Sequence, residues 1–177
     1  MNKNLLLILL AGVLVALSTS NKGRKFFMSL ASDIVTKWEG LRLDVYLDVV
    51  GKWTVGYGHL IKPGEKYYPY GPVKNITKIE AENLLEQDLN FARDCVSQFV
   101  KVPLTENQRA SLVSFTFNLG CAAFQKSTLL KLVNQQKFSE AAEQFDKWVY
   151  ARGADNLLVK VNGLVNRREA EKQTFIT

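Results

Sequence analysis

The sequence predicts an α+β domain, a small sheet-containing lobe followed by a larger helical lobe, behind an N-terminal apolar segment. Three observations predict it. Residues 43–58 alternate apolar and polar side chains around Gly51, the pattern of a small antiparallel hairpin or meander. From Thr77 onward, apolar residues recur at helical spacing. Before both, Leu5 to Leu17 is apolar without interruption and ends in Ser18-Thr19-Ser20.

Taken in order, the apolar run would rise only about 20 Å as a helix, against a hydrocarbon core of about 30 Å. Residues 1–28 therefore read as an export signal or signal anchor, and residues 29–177 as one domain. Two fates stay open for the segment: cleavage after a small residue such as Ser18, or retention as a weak, releasable anchor. Ile34, Val35, Trp38 and Leu41 repeat at helical spacing, with Ser32 or Asp33 available as N-cap and Gly40 near the end. Leu43 to Leu47 and Trp53 to Gly58 form the strands. Residues 62–76, rich in Pro and Gly, read as a loop whose Tyr67, Tyr68 and Tyr70 either stack on sugar or pack on their own lobe. Thr77-x-x-Glu80 opens a long amphipathic helix through Leu84, Leu85, Leu89, Ala92 and Val96. Pro103 interrupts it, and Thr105-x-x-Gln108 opens the next, with Leu112, Val113, Phe115 and Phe117 facing a core. Shorter helices are expected over 127–134, 139–150 and 163–173.

Lys and Arg total 23 against 17 for Asp and Glu, a net charge of +6 that suits a polyanionic partner. The basic residues are dispersed and no aromatic-interleaved stripe accompanies them, which disfavours nucleic acid. Two cysteines and one histidine exclude a four-ligand Cys/His zinc site, and no metal or cofactor is expected. In an exported chain Cys95 and Cys121 are expected to be bridged; two buried thiols are the alternative.

Chemistry concentrates in Glu39 at a helix end, Asp48 near the first turn and Thr54 on the following strand. A helix end beside a hairpin brings a carboxyl from each side to one cleft. Glycoside cleavage needs one acid to protonate the leaving oxygen and one carboxylate on the opposite face. An apolar neighbourhood around Trp38 and Leu41 would keep Glu39 protonated. Two carboxylates nine residues apart say little by themselves, because solvated surface charges give the same pattern. Gly56 and Gly58 do not form a phosphate loop, since no third glycine opens a helix; close backbone approach in the hairpin explains them better. His59 admits a catalytic and a structural reading.

The surrounding residues decide. Trp38-Glu39-Gly40-Leu41-Arg42-Leu43, Tyr46-x-Asp48 and Trp53-Thr54-Val55-Gly56-Tyr57-Gly58-His59 resemble the T-even phage lysozyme family, and within it the endolysins of lambdoid phages. Val102-Pro103-Leu104-Thr105, Phe115-x-Phe117-Asn118-Leu119-Gly120, Phe124-x-x-Ser127-Thr128-Leu129-Leu130 and Gly163-Leu164-Val165-x-Arg167-Arg168-x-Ala170-Glu171 extend the resemblance from about residue 32 to the C-terminus. It implies a lysozyme-like fold and an inverting muramidase acting on peptidoglycan, with Glu39 as general acid and Asp48 and Thr54 holding the attacking water. It also implies glycan contacts from Leu60, Phe117, Ser127 and Gln144, the last a departure from the asparagine of the family's best-known member. His59 would form a buried ion pair with Asp88, a structural role. Some lambdoid endolysins carry a weakly apolar anchor that leaves the bilayer, which would place this chain first at the inner membrane and then in the periplasm, as a monomer. The rivals are a lytic transglycosylase and a non-catalytic peptidoglycan-binding protein; the presence of Asp48 and Thr54 argues against both.

Overall fold

In a computed structural model, the structure describes residues 28–48, 51–67, 75–152 and 157–177. The run Leu5 to Leu17, Tyr68 and Tyr70 lie outside the described residues. Among the described residues no helix is long and apolar enough to cross a membrane.

The first helix, α1, occupies residues 28–39. It is already helical four residues before Ser32, so neither Ser32 nor Asp33 caps it; the Ser32 carbonyl instead accepts the Thr36 hydroxyl at 2.9 Å. The reason is that the apolar face begins earlier than the sequence pattern suggested: Met28 and Leu30 pack against the same core as Ala31 and Val35. Gly40, with φ of 68°, ends the helix in a conformation that an L side chain rarely adopts.

The expected meander follows as β1 (Arg42–Leu47), β2 (Trp53–Gly56) and β3 (His59–Leu60), antiparallel in that order. Tyr46 lies opposite Thr54, and Val55 opposite His59. Val55, Ile61, Tyr67 and Ile76 close the small lobe on Ala81 and Leu84, so Tyr67 packs on its own lobe. Those last two residues belong to α2 (Lys78–Phe99), which the Thr77/Glu80 capping box opens. From the next residue on, Leu85, Leu89, Ala92 and Val96 of the same helix enter the larger core. A single helix thus carries both lobes.

The Thr105/Gln108 capping box opens α3 (Glu106–Leu119), whose Leu112, Val113 and Phe115 are fully buried. Three short helices follow: α4 (Cys121–Lys126), α5 (Thr128–Asn134) and α6 (Phe138–Ala142). Phe115 receives the edges of Phe145 and Trp148, each 5.5 Å between ring centroids. The helix expected over 139–150 does not form as one piece. After α6 a 3-10 turn covers Phe145–Lys147, and β4 (Tyr150–Arg152) pairs antiparallel with β5 (Leu158–Lys160). Burying Phe145, Trp148 and Val149 together defeats a continuous helix, and the aromatic and β-branched residues around 148–161 favour extended backbone. The last helix, α7 (Asn162–Ile176), lies against α3. Cys95 of α2 and Cys121 of α4 are joined by a disulfide, with Cα atoms 5.9 Å apart.

Candidate active site

Asp48 and Thr54 are both fastened to one residue, Lys52. The Lys52 amide donates to Asp48 Oδ1 at 2.8 Å, and the Asp48 amide donates to the Lys52 carbonyl at 2.9 Å. The Thr54 hydroxyl donates to that carbonyl at 3.0 Å. Its proton is thus committed to the backbone, and its lone pairs are the hydroxyl's remaining hydrogen-bonding capacity. The tight turn thus ties a carboxylate just after β1 and a hydroxyl on β2 to the backbone of one residue.

Glu39 reaches this region from the C-terminal end of α1. A Cβ added at Gly58 would stand 3.1 Å from Glu39 Oε2, so the carboxyl lies directly on the turn that follows β2. Only glycine allows that approach, and its φ of 84° favours glycine as well. Tyr46, opposite Thr54, registers both carboxylates. Burial pushes its phenol above the ordinary value, and the charges of Glu39 and Asp48 add to the effect while Arg42 opposes it. Two carboxylates from different elements act on one phenol, which puts Glu39 and Asp48 around a common space. Asp44 adds a third, smaller contribution of the same sign. The Arg42 guanidinium covers the Tyr46 ring at 3.9 Å.

The expected apolar surroundings of Glu39 are replaced by a cation. Arg167 Nη1 of α7 donates to Glu39 Oε1. Arg167 is itself buried and continues inward: its Nε donates to Glu171 Oε1 at 3.2 Å. Glu171 is fully buried and also accepts the Ser114 hydroxyl at 2.6 Å and Arg168 Nη2 at 3.1 Å. Burial pushes the Glu171 carboxyl up, opposed by both arginines and Ser114. Arg168, buried against the Phe115 ring, is lowered to about 10 by desolvation. Sequence reasoning quoted these α7 residues without giving them a role. Their i, i+3 and i, i+4 spacing was the available signal, and burial turns it into a support for Glu39.

His59 is 6% exposed and sits between two carboxylates, with Nδ1 2.8 Å from Asp88 Oδ2 and Nε2 3.0 Å from Glu65 Oε2. Burial opposes the imidazolium, yet the two carboxylates outweigh it and hold the imidazole above its ordinary value. Both ring nitrogens are occupied in this fold, tying β3 to α2. Glu65 was not foreseen.

Leu60 and Phe117 line one pocket of about 240 Å³, together with Gly58, Asp88, Phe91 and Gly120. Ser127 is not among its lining residues. It is buried at the start of α5, where its hydroxyl accepts from the Leu130 amide at 3.0 Å and donates to the Phe124 carbonyl at 2.7 Å. Gln144 lies half-buried after α6, its amide directed to the Glu140 carbonyl. A larger cavity of about 510 Å³ lies between α1 and α2, lined by Met28, Tyr57, Leu85 and Leu89; it holds none of the three candidate catalytic residues.

Over residues 36–171 the sequence matches the family model described as Phage lysozyme. The chain belongs to the phage lysozyme family. It is 38% identical over 142 residues to an endolysin of Acyrthosiphon pisum secondary endosymbiont phage 1, covering 80% of this chain and 92% of that protein. It is 32% identical over 165 residues to a SAR-endolysin of Escherichia phage Mu, covering 92% of this chain and 88% of that one. Among solved structures, the endolysin from Escherichia coli O157:H7 phage FAHEc1 superposes with a TM-score of 0.74 at 33% identity, over 83% of this chain and 90% of its own. The α+β, lysozyme-like architecture is therefore that of the family. Glu39, Asp48, Thr54, Arg167 and Glu171 all lie within the span of the phage lysozyme match.

Proposed function

We propose that this phage lysozyme hydrolyses the β-1,4 bond between N-acetylmuramic acid and N-acetylglucosamine in peptidoglycan with inversion, Glu39 serving as acid and Asp48 with Thr54 holding the attacking water. Family membership and the endolysin relatives support a peptidoglycan-hydrolysing enzyme that lyses host cells. The observation that carries the mechanism is the convergence of Asp48 and Thr54 on Lys52, with Glu39 on the adjoining glycine turn.

In the reaction Glu39 gives its proton to the glycosidic oxygen as the bond from anomeric carbon to oxygen breaks. A water held between the Asp48 carboxylate and the Thr54 oxygen attacks the opposite face of that carbon, and Asp48 takes the proton it sheds. Arg167 orients the Glu39 carboxyl without touching substrate. The test is turbidity clearance of permeabilised Gram-negative cells. Glu39→Gln, which keeps shape but carries no transferable acid proton, should lose about 10³-fold in rate with its melting temperature preserved. Near-normal clearance by Glu39→Gln would refute the assignment.

Residues 1–28 are read as a retained, releasable anchor. The support is the short apolar run broken by Ala11, Gly12 and Ala16, together with the SAR-endolysin relatives. Collapsing the membrane potential should move the full-length chain from membrane to soluble fraction and start lysis. A mature protein beginning near Thr19, soluble before depolarisation, would contradict this.

A further inference from the structure

The pocket beside Leu60 and Phe117 contains two side chains that the reaction leaves unused. Phe91 lies on α2, one turn beyond Asp88, and is 68% exposed. A lone aromatic ring in water needs no explanation. This one, however, lines the same pocket as Leu60, itself 43% exposed, and Phe117. The three share this pocket with Gly58, the residue against which the Glu39 carboxyl lies.

Lys62 stands on the same pocket and is exposed. Its ammonium enters no ion pair among the described residues, whereas its neighbour Lys66 is held by Glu80 at 2.6 Å. One carboxylate shares the pocket, that of Asp88, and it is already bound to His59 at 2.8 Å. Lys62 is therefore the uncommitted charge there. The pocket offers an apolar face and a cation side by side.

In the intact wall the lactyl carboxyl is tied up in its amide to the stem, so the sugar backbone offers Phe91 a face but offers Lys62 no carboxylate. The peptide stem on the lactyl group of muramic acid has both complements: alanine methyl groups and free carboxylates. We propose that Phe91 and Lys62 form a subsite for this acidic peptide stem, next to the sugar-binding cleft. The proposal rests on the muramidase reading above. Phe91 covers the methyl groups and Lys62 pairs with a stem carboxylate.

The experiment compares intact cell-wall sacculi with the same sacculi stripped of stems by an amidase. Wild type, Phe91→Ala, Lys62→Ala and Lys62→Glu are assayed on both, as substrate and as competitor. On intact sacculi each variant should raise the apparent KM about threefold to tenfold, Lys62→Glu the most, with kcat unchanged. Added salt should shrink the Lys62 effects and spare that of Phe91. Amidase leaves the single lactyl carboxylate on each muramic acid, so on stripped chains Phe91→Ala should match wild type and the Lys62 variants should lose less than they do on intact sacculi. Both side chains are exposed, so melting temperatures should agree. Equal losses on intact and stripped chains would make this a sugar subsite and overturn the proposal, as would variants identical to wild type on intact sacculi. A wild type inert on intact sacculi is a different failure: it overturns the muramidase reading and the subsite with it.

Discussion

Glu39 and Asp48 approach one cleft from two walls, and the protein secures them by different means. Asp48 is held by the backbone of Lys52, four residues away, inside a turn that the hairpin builds for itself. Glu39 is held by Arg167, 128 residues away, and Arg167 in turn by the buried Glu171. In the proposed mechanism the water-holding wall is thus local, while the acid wall depends on α1, α3 and α7 being docked. Disturbance of the helical lobe should therefore reach the acid first and leave the hairpin intact.

The largest effect should come from splitting that contrast by mutation. Arg167→Met leaves Glu171 with one arginine and Glu39 with none, and removing one partner from a buried ionic group costs about 3–5 kcal/mol. The variant should melt much lower and clear cells far more slowly even where folded. Asp48→Ala should do the reverse: little loss of melting temperature, but about a 10²-fold loss of rate, against almost none for Asp44→Ala. Asp44 is exposed and paired with Arg42. Two aspartates of equal weight would mean that the hairpin wall is misassigned. Calorimetry and turbidity on the same samples separate the two outcomes.

Much of this contrast is visible in the sequence, and unevenly so. Glu39, Asp48 and Thr54 lie within sixteen consecutive positions, where alternation and turn residues fix the geometry, and both capping boxes appear as written. The Arg167–Glu39 contact is not legible, because no periodicity links residues so far apart. Arg167, Arg168 and Glu171 show their spacing on a helix, but spacing does not tell a buried network from a solvated face. The expected apolar setting of Glu39 failed for that reason. The β4–β5 hairpin was missed because its strands are three residues each and adjoin helical patterns. Ser127 matches the motif by position, and the structure adds that its hydroxyl caps α5.

A smaller effect lies at His59, where β3 meets α2. Its value in the fold is raised above that in the unfolded chain, so the fold binds the proton more tightly. The stabilisation is whole below about pH 6.5, the unfolded value, and is lost as pH rises through the folded one. The melting-temperature gap between wild type and His59→Gln should thus narrow as pH rises above about 6.5. A gap that widens would reverse the sign of the linkage.

The central claim is that a water seated by Asp48 and Thr54 attacks the face opposite the bond that Glu39 protonates. Proton NMR of the first product released from a soluble β-linked glycan strand, recorded before mutarotation, tests it most directly. The account predicts a reducing-end muramic acid that is initially the α-anomer, having gained one water oxygen. A β-anomer, or a 1,6-anhydro end without that oxygen, would contradict it.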